Sequence, residues 1–543
     1  MTNATPARPT GTTTVRDSTY ALLERSGVTT IFGNPGSNEL PFLAGMPASM
    51  RYVLALHEGA AVAMADGYAQ ASGELGVVNL HAASGTGNAM GGLSNAAVSR
   101  SPLLLLAGQQ VRETVGQNVM LANMDAAQLT RPLTGYSAEP LAAVDVPRTL
   151  AEAIHHAGPG RRGPSFVSVP YDDWERPAAA GDPALLARTV TRAFHAAPEE
   201  VERIAGLLAG AQRPALVLGS DLDGTATPGA LVALAEHLGA TVHVAPSPYR
   251  LPFPNRHRLF AGVLPAGIRS IRDALAGHDL VLVLGAPVFR YHQYEPGEYL
   301  AEGTRLIQVT DDTDAAARAP FGETLLAEPA ALVDGLIACL GAEPRPTSAE
   351  DPEAYLPCPE PGTAGAGRLH PAEVFAALRR TQPRDTAYVV ESTSTTGDFW
   401  AQMDLREPGS YFWPASGGLG FGLPAAVGVA LARPDRRVVG VIGDGSANYG
   451  ITALWTAAQL RLPLTIVILR NGTYGALRWF ADVLGTPDAP GLDIPDIDLV
   501  PVAEGYGVPG RRVQDLATLE DLLRREPDGP RLLQVETSLT TPH

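Results

Sequence analysis

Two oxygen-bearing side chains follow consecutive apolar, β-like runs in the last third of the sequence. Gly443-Asp444-Gly445-Ser446 follows the run 437–442, and Asn471-Gly472-Thr473 follows the run 463–469. If the two strands are parallel neighbours, about 4.8 Å apart, Asp444 and Asn471 reach the same hard cation. Mg²⁺ takes few protein ligands and adds water and phosphate oxygens, so this pair and a carbonyl near Thr473 predict a magnesium diphosphate site. The alternative is that both motifs are only turns.

Three polar residues, Ser37, Glu58 and His81, follow apolar runs in the first hundred residues. These runs are 29–32, 53–56 and 77–80. Ligands of α/β proteins bind at the carboxyl edge of the parallel sheet, so the three are candidate catalytic residues. Glu58 opens the apolar stretch 60–71, where desolvation would let its carboxyl group exchange a proton near neutral pH. The alternatives are dipole complementation by Glu58 and a structural role for His81.

His292 is the fourth candidate, because it lies in the aromatic segment 289–294 after the apolar run 280–288. An imidazole among aromatic rings in a dry pocket is suited to proton transfer. A stacked structural histidine explains the same pattern equally well.

Two glycine-rich segments, 417–422 and 84–88, resemble dinucleotide fingerprints at first sight. Neither has the G-x-G-x-x-G spacing, and no acidic residue ends a second strand at the expected offset. The sequence therefore disfavours a nicotinamide site.

The composition excludes several classes of function. The 543 residues carry 40 basic and 57 acidic side chains, a net charge of −17, which disfavours binding to nucleic acid and to anionic membranes. All the basic residues are arginine, so no lysine can form a Schiff base or serve a phosphate loop. Two cysteines suit a reducing compartment, and no apolar run approaches the ~18 residues that span a bilayer. We expect a cytoplasmic protein with no membrane partner.

Apolar runs alternate with longer alanine-rich stretches throughout the chain, the pattern of βαβ units and parallel sheets. Segments rich in Pro, Gly and Ala interrupt it at 174–183 and 341–367. The sequence predicts an α/β protein of three domains with parallel sheets, at residues 12–180, 190–342 and 368–543.

Gly443-Asp444-Gly445 followed by Asn471 resembles the diphosphate motif of thiamine-diphosphate enzymes. Further segments are similar to 2-oxo acid decarboxylases of this family, and most to the benzoylformate decarboxylases. These segments are IFGNPGSNELPFL at 31–43, NLHAASGTGNAMG at 79–91, GAPVFRYHQY at 285–294, ESTSTT at 391–396, GGLGFGLPAA at 417–426 and NGTYGALRWF at 471–480. The resemblance implies a pyrimidine domain, a middle domain and a diphosphate domain, in that order.

The resemblance also implies the cofactors, thiamine diphosphate and Mg²⁺, and the residues that hold them. Glu58 would hydrogen-bond the aminopyrimidine ring, Leu419 would force the bent cofactor conformation, and the Gly417 carbonyl would receive the amino group. Asp444, Asn471 and Thr473 would bind the metal. The full implied set is Asn34, Pro35, Glu58, Thr393, Ser394, Gly417, Leu419, Gly443, Asp444, Gly445, Ser446, Asn471, Thr473, Tyr474, Gly475 and Ala476.

The implied reaction is decarboxylation of an aryl 2-oxo acid such as benzoylformate to an aldehyde and carbon dioxide. Ser37 would bind the substrate carboxylate, His292 would protonate the carbon that loses carbon dioxide, and His81 would shuttle protons. The implied pocket is Met120, Leu121, Trp413, Ala476, Leu477 and Phe480. The alternatives are carboligation or another 2-oxo acid, as in acetolactate synthases, and a silent cofactor-binding scaffold.

The resemblance further implies a homo-oligomer, with a dimer as the minimal active unit and a tetramer as the expected assembly. Three residues depart from the family pattern. Arg470 stands where a second Asn is usual, and Trp413 and Pro414 stand where Phe and Cys are expected. We expect Arg470 to leave the metal site intact and the bulkier Trp413 to change the preferred ring.

Overall fold

The computed structural model describes residues 13–158, 163–191, 193–292, 295–342, 355–365 and 367–540. These residues form three six-stranded sheets in which every strand pair is parallel. The predicted fold class is thereby confirmed. The domain limits themselves stay predictions.

The first sheet has the order β2-β1-β3-β4-β6-β5. Its strands are β1 Thr30–Gly33, β2 Arg51–Leu54, β3 Gly76–Leu80, β4 Leu103–Gln109, β5 Tyr136–Ala138 and β6 Ser165–Pro170. The helices in this part of the chain are α1 Val15–Arg25, α2 Leu40–Leu43, α3 Glu58–Ser72, α4 Ala82–Val98, α5 Ala126–Leu129, α6 Val146–Ala157 and α7 Asp182–Ala187.

The second sheet has the order β12-β11-β10-β7-β8-β9. Its strands are β7 Pro214–Leu218, β8 Thr241–Val244, β9 Phe260–Val263, β10 Leu280–Leu284, β11 Arg305–Thr310 and β12 Glu323–Leu326. Its helices are α8 Pro198–Gly210, α9 Ala230–Leu238, α10 Ile268–Leu275, α11 Thr313–Arg318 and α12 Pro329–Leu340.

The third sheet has the order β14-β13-β15-β16-β18-β17. Its strands are β13 Ala387–Glu391, β14 Tyr411–Phe412, β15 Val438–Gly443, β16 Leu464–Arg470, β17 Gly510–Val513 and β18 Arg531–Glu536. Its helices are α13 Pro371–Thr381, α14 Thr396–Gln402, α15 Gly422–Ala432, α16 Asp444–Gly450, α17 Ala453–Gln459, α18 Gly475–Val483, α19 Leu499–Gly505 and α20 Leu516–Arg524.

Some predicted element limits differ from the structure. The apolar run 280–288 is a strand only to Leu284, because Gly285 has a positive φ of 68° that ends the extended backbone. In the segment 174–183, Trp174 is buried against the first domain and α7 begins at Asp182. Of the segment 341–367, residues 343–354 and 366 lie outside the described residues. No helix of the described residues is long and apolar enough to cross a membrane.

The first and third sheets share one apolar core through helices α3 and α15. Their backbones approach so closely that a Cβ atom on Gly428 would lie 1.9 Å from the carbonyl oxygen of Met64. Each helix therefore fixes the position of the loop that precedes it. The second domain packs around a core of its own.

We expect Gly428→Ala to lower the free energy of unfolding by more than about 2 kcal/mol, because the added methyl group overlaps main-chain atoms that cannot rotate away. Thermal and urea unfolding measure the change. Gly206→Ala is the matched control, since a Cβ in that helix meets nothing within 4 Å and should stabilise by about 0.5–1 kcal/mol. Equal effects of the two substitutions would contradict the close helix packing.

Candidate active site

Ser37, Glu58 and His81 lie at one edge of the first sheet, because β1 pairs in parallel with both β2 and β3. Glu58 is the first residue of α3 and only 5% exposed. Its carboxylate accepts hydrogen bonds from the amide nitrogens of Asn34, at 3.4 Å, and Asn88, at 3.1 Å. The two donors hold the carboxylate in one orientation. The Ser37 side chain is exposed, and its hydroxyl group donates a hydrogen bond to Oδ1 of Asn38 at 3.3 Å.

His81 is paired with a carboxylate that sequence reasoning did not single out. Glu39 is 1% exposed, and its Oε2 lies 2.8 Å from Nδ1 of His81. The same carboxylate accepts backbone N–H groups of Gly36, Ala82 and Gly108 at 2.8–3.2 Å. A carboxylate that accepts from Nδ1 favours the tautomer with the proton there and leaves Nε2 to exchange protons. Glu39 thus fixes both the orientation of the His81 ring and its tautomer.

We expect Glu39→Gln to reduce kcat by about 10- to 100-fold, because a charge-assisted hydrogen bond contributes about 1.5–3 kcal/mol. The pH profile of kcat/KM should shift as well, since the ring loses its charged partner. Glu113→Gln, at an exposed glutamate, is the control. Adding Glu39→Gln to His81→Ala should then cost little more than His81→Ala alone, because Glu39 acts through the His81 ring, and fully additive losses would contradict the pairing.

The predicted metal ligands lie at the ends of neighbouring strands, as β15 pairs with β16 along their whole length. Asp444 is 3% exposed and accepts backbone N–H groups of Gly472, at 2.8 Å, and Gly445, at 2.9 Å. Burial raises the pKa of Asp444, and those N–H groups oppose the rise. The Asn471 Oδ1 accepts the N–H of Thr473 at 3.0 Å. A carboxylate and an amide oxygen at one strand edge are donors that suit Mg²⁺.

The residues predicted to hold the diphosphate surround this strand edge. Ser446 lies in α16 directly after Asp444, and Thr393 and Ser394 form a turn after β13, which pairs with β15. Two glycines let neighbouring segments pack closely here. A Cβ on Gly475 would lie 2.9 Å from the Ser394 side chain, and one on Gly445 would lie 2.6 Å from the Tyr474 ring. This cradle of small residues, hydroxyl groups and a helix N-terminus fits a metal-bound diphosphate.

Arg470 is one of the three residues that depart from the family pattern, and its side chain makes its hydrogen bonds outside this cradle. Its guanidinium donates to the Ile497 carbonyl and to the Glu536 carboxylate, both at 2.8 Å. Neither contact uses an atom of Asp444 or Asn471.

The predicted pocket residues differ in their aromatic contacts and in their exposure within one chain. The His292 ring packs edge-to-face on Phe480, with centroids 5.1 Å apart, whereas Trp413 stacks on Tyr411 at 6.5 Å. Met120 is 84% exposed and Leu477 is 49% exposed. Leu121 and Ala476 are partly buried. A single chain therefore leaves part of the predicted apolar lining open to solvent.

The segment before α15 carries Gly417 and Leu419, and two buried side chains form hydrogen bonds with its backbone. Asn95 of α4 bonds to its first part, and Glu391, the last residue of β13, bonds to its last part. Burial raises the pKa of Glu391 to about 8, against three N–H donors that favour its charged form. Sequence reasoning assigned a role to neither residue, since their partners are backbone groups that no local motif reveals.

Comparison with known proteins assigns the family. Models of the thiamine pyrophosphate enzymes match in three places: the N-terminal TPP binding domain at residues 13–129, the central domain at 201–336 and the C-terminal TPP binding domain at 392–535. The chain belongs to the thiamine pyrophosphate enzymes. The two cofactor-binding models contain the two groups of candidate residues described above.

Within this thiamine pyrophosphate family, the chain is similar to decarboxylases over nearly its full length. It is 53% identical to benzoylformate decarboxylase of Pseudomonas aeruginosa, covering 97% of this chain and 100% of the relative. A solved 4-hydroxybenzoylformate decarboxylase of Rhodococcus jostii RHA1 has 53% identity and a TM-score of 0.93, over 97% of this chain and 99% of that one. Benzoylformate decarboxylase of Polynucleobacter necessarius has 34% identity and a TM-score of 0.91, with the same coverage. The predicted resemblance is confirmed.

Proposed function

We propose that this protein is a carboxy-lyase that converts an aryl 2-oxo acid of the benzoylformate class to the corresponding aldehyde and carbon dioxide. The observation that carries the proposal is the placement of Ser37, Glu58 and His81 at one sheet edge in a chain 53% identical to benzoylformate decarboxylase. Thiamine diphosphate would accept the electron pair that is left on the 2-oxo carbon when carbon dioxide departs, which no protein side chain can do.

The residues of this chain bind and orient the cofactor. Asp444, Asn471 and the backbone carbonyl of Thr473 would hold Mg²⁺, and Ser446, Thr393 and Ser394 would hold the diphosphate. Glu58 would bind the aminopyrimidine ring, because its carboxylate is buried and held by two amide donors. The carbonyl oxygen of Gly417 would accept the amino group of that ring.

Three residues would act on the substrate. Ser37 presents an exposed hydroxyl group, which suits the binding of the substrate carboxylate. His81, oriented by Glu39, would move protons at the substrate oxygen through Nε2. His292 would deliver the proton to the carbon that loses carbon dioxide, with its ring held against Phe480.

Met120, Leu121, Trp413, Ala476, Leu477 and Phe480 would form the aryl pocket once a second chain is present. Large apolar side chains near the candidate residues are exposed on one chain, among them Leu56 at 41% and Tyr449 at 59%. Exposed apolar surface of this kind marks protein interfaces. We infer a homodimer as the minimal active unit, with a tetramer as the expected assembly, and a cytoplasmic location.

The test is product analysis with purified protein. Protein freed of cofactor is given Mg²⁺, thiamine diphosphate and phenylglyoxylate, and release of benzaldehyde and carbon dioxide is measured. A panel with 4-hydroxyphenylglyoxylate, indolyl and branched 2-oxo acids tests the ring preference that Trp413 sets. Turnover of other 2-oxo acids without turnover of the aryl ones would reject the substrate class. Mainly hydroxyketone product would favour a carboligase.

A further inference from the structure

We propose that Asn95 and Glu391 are positioning residues that hold segment 416–422 in its cofactor-receiving shape before the cofactor binds. We call this segment the wedge loop, since it carries Leu419. The inference rests on the proposed function, because that function places Gly417 and Leu419 against thiamine diphosphate. Neither Asn95 nor Glu391 itself would touch the cofactor.

Asn95 holds the first part of the wedge loop from the other cofactor-binding domain. It lies in α4 and is 1% exposed. Its Oδ1 accepts the N–H groups of Ser416, at 3.0 Å, and Gly418, at 3.3 Å, while its Nδ2 donates to the Gly418 carbonyl at 2.9 Å. The Ser416 hydroxyl donates a third hydrogen bond to Oδ1 at 2.7 Å, the fourth that the Asn95 amide makes. One amide therefore satisfies both the donor and the acceptor of Gly418.

Glu391 holds the last part of the wedge loop from β13. It is 1% exposed, and its Oε1 accepts the N–H groups of Gly420, at 2.8 Å, and Phe421, at 3.1 Å. Its Oε2 accepts the N–H of Gly422, the first residue of α15, at 3.0 Å. These three N–H groups favour the charged form of the carboxyl group, which burial disfavours. Glu391 thus fixes the direction in which the chain enters α15.

The two residues leave free the atoms that the cofactor would use. Within the described residues, no hydrogen bond reaches the carbonyl oxygen of Gly417. A Cβ on Gly417 would meet nothing within 4 Å, and its φ of 78° turns the backbone sharply at this point. Gly417 is itself exposed, so its carbonyl group stays available to a ligand between the two anchored parts of the wedge loop.

Helix α4 carries two of these side chains, seven residues apart. Asn88 binds Glu58 and Asn95 binds the wedge loop, while His81 directly precedes the helix and makes no side-chain capping bond. A seven-residue spacing returns to nearly the same face of a helix. The helix that helps orient the proposed proton-transfer groups also positions the cofactor loop of the third domain.

The decisive experiment measures thiamine diphosphate affinity by calorimetry, in the presence of Mg²⁺, for Asn95→Asp and Glu391→Gln. Asn95→Asp replaces the donor to Gly418 by an oxygen, and Glu391→Gln places an amide group against an N–H donor. We expect the Kd to rise about tenfold or more for each, because each leaves a buried backbone group unsatisfied.

Asn255→Asp is the matched control. Asn255 is also buried, donates to the Met403 carbonyl at 3.0 Å and accepts the Leu405 N–H at 2.8 Å, so it joins two domains away from the wedge loop. The Asn255→Asp variant should have a lower unfolding temperature, as Asn95→Asp does, but an unchanged Kd for thiamine diphosphate. An equal rise in Kd for all three variants, or no rise for Asn95→Asp and Glu391→Gln, would overturn the proposal.

If a variant fails to fold, hydrogen exchange on the wild-type protein still tests the proposal. In cofactor-free protein the amides of Gly418 and of residues 420–422 should exchange at least about tenfold more slowly than those of an exposed loop. Exchange as fast as in an exposed loop would show that the wedge loop is not held before binding. Failure of the wild-type protein to bind thiamine diphosphate would instead reject the proposed function.

Discussion

Glu58→Gln is expected to reduce the turnover of an aryl 2-oxo acid by about 10²- to 10⁴-fold, the range over which positioned acid or base groups act. Glutamine has the same shape, but it can accept from only one of Asn34 and Asn88, which donate to different carboxylate oxygens. It also cannot carry the charge or exchange a proton. The buried position of Glu58 leaves no bulk water to replace it. Steady-state kinetics and exchange of the cofactor C2 proton measure the loss.

Calorimetry should show that Glu58→Gln still binds Mg²⁺ and the diphosphate, because Glu58 belongs to a different domain from Asp444. Glu199→Gln is the control, since it also alters a glutamate in the first turn of a helix but at an exposed position. Unchanged proton exchange at C2 would contradict the role proposed for Glu58.

Asp444→Asn is expected to weaken Mg²⁺-dependent binding of thiamine diphosphate by more than about 100-fold. Loss of residues that merely support metal ligands already costs 10- to 100-fold, and this substitution removes the one carboxylate of the proposed ligand set. It also places an amide donor against the N–H of either Gly472 or Gly445. Calorimetry with and without Mg²⁺ measures the effect.

Asp528→Asn, at an exposed aspartate of the same domain, should bind the cofactor as the wild type does. Cofactor affinity that stays the same in Asp444→Asn would place the metal elsewhere. The two variants separate chemistry from binding, because Glu58→Gln should lose turnover while it keeps the cofactor, whereas Asp444→Asn should lose turnover through its weaker cofactor binding.

Much of the candidate site could be predicted because it follows from the ends of parallel strands. Glu58 and His81 follow β2 and β3, and Asp444 and Asn471 follow β15 and β16. Once these strands pair in parallel, side chains that follow them must lie at a common edge. Strand limits were less accurate, as at Leu284, because an apolar run continues past the point where the backbone leaves the sheet.

Glu39, Asn95 and Glu391 could not be predicted, because each acts through partners that no local pattern marks. Glu39 bonds to a histidine 42 residues away. Asn95 bonds to Ser416, 321 residues away. Glu391 was only part of a segment that resembled the family. A buried polar side chain reveals its role only when the groups that satisfy it are known.

The order of apolar runs and oxygen-bearing residues by itself determined the three α/β domains and the strand-end placement of Asp444 and Asn471, because parallel sheets repeat a simple pattern. The resemblance of particular segments indicated the family. The tertiary structure alone decided how His81 is paired and how the wedge loop is held. It also showed that His292 packs on Phe480. These features depend on contacts between distant segments, which the sequence pattern does not encode locally.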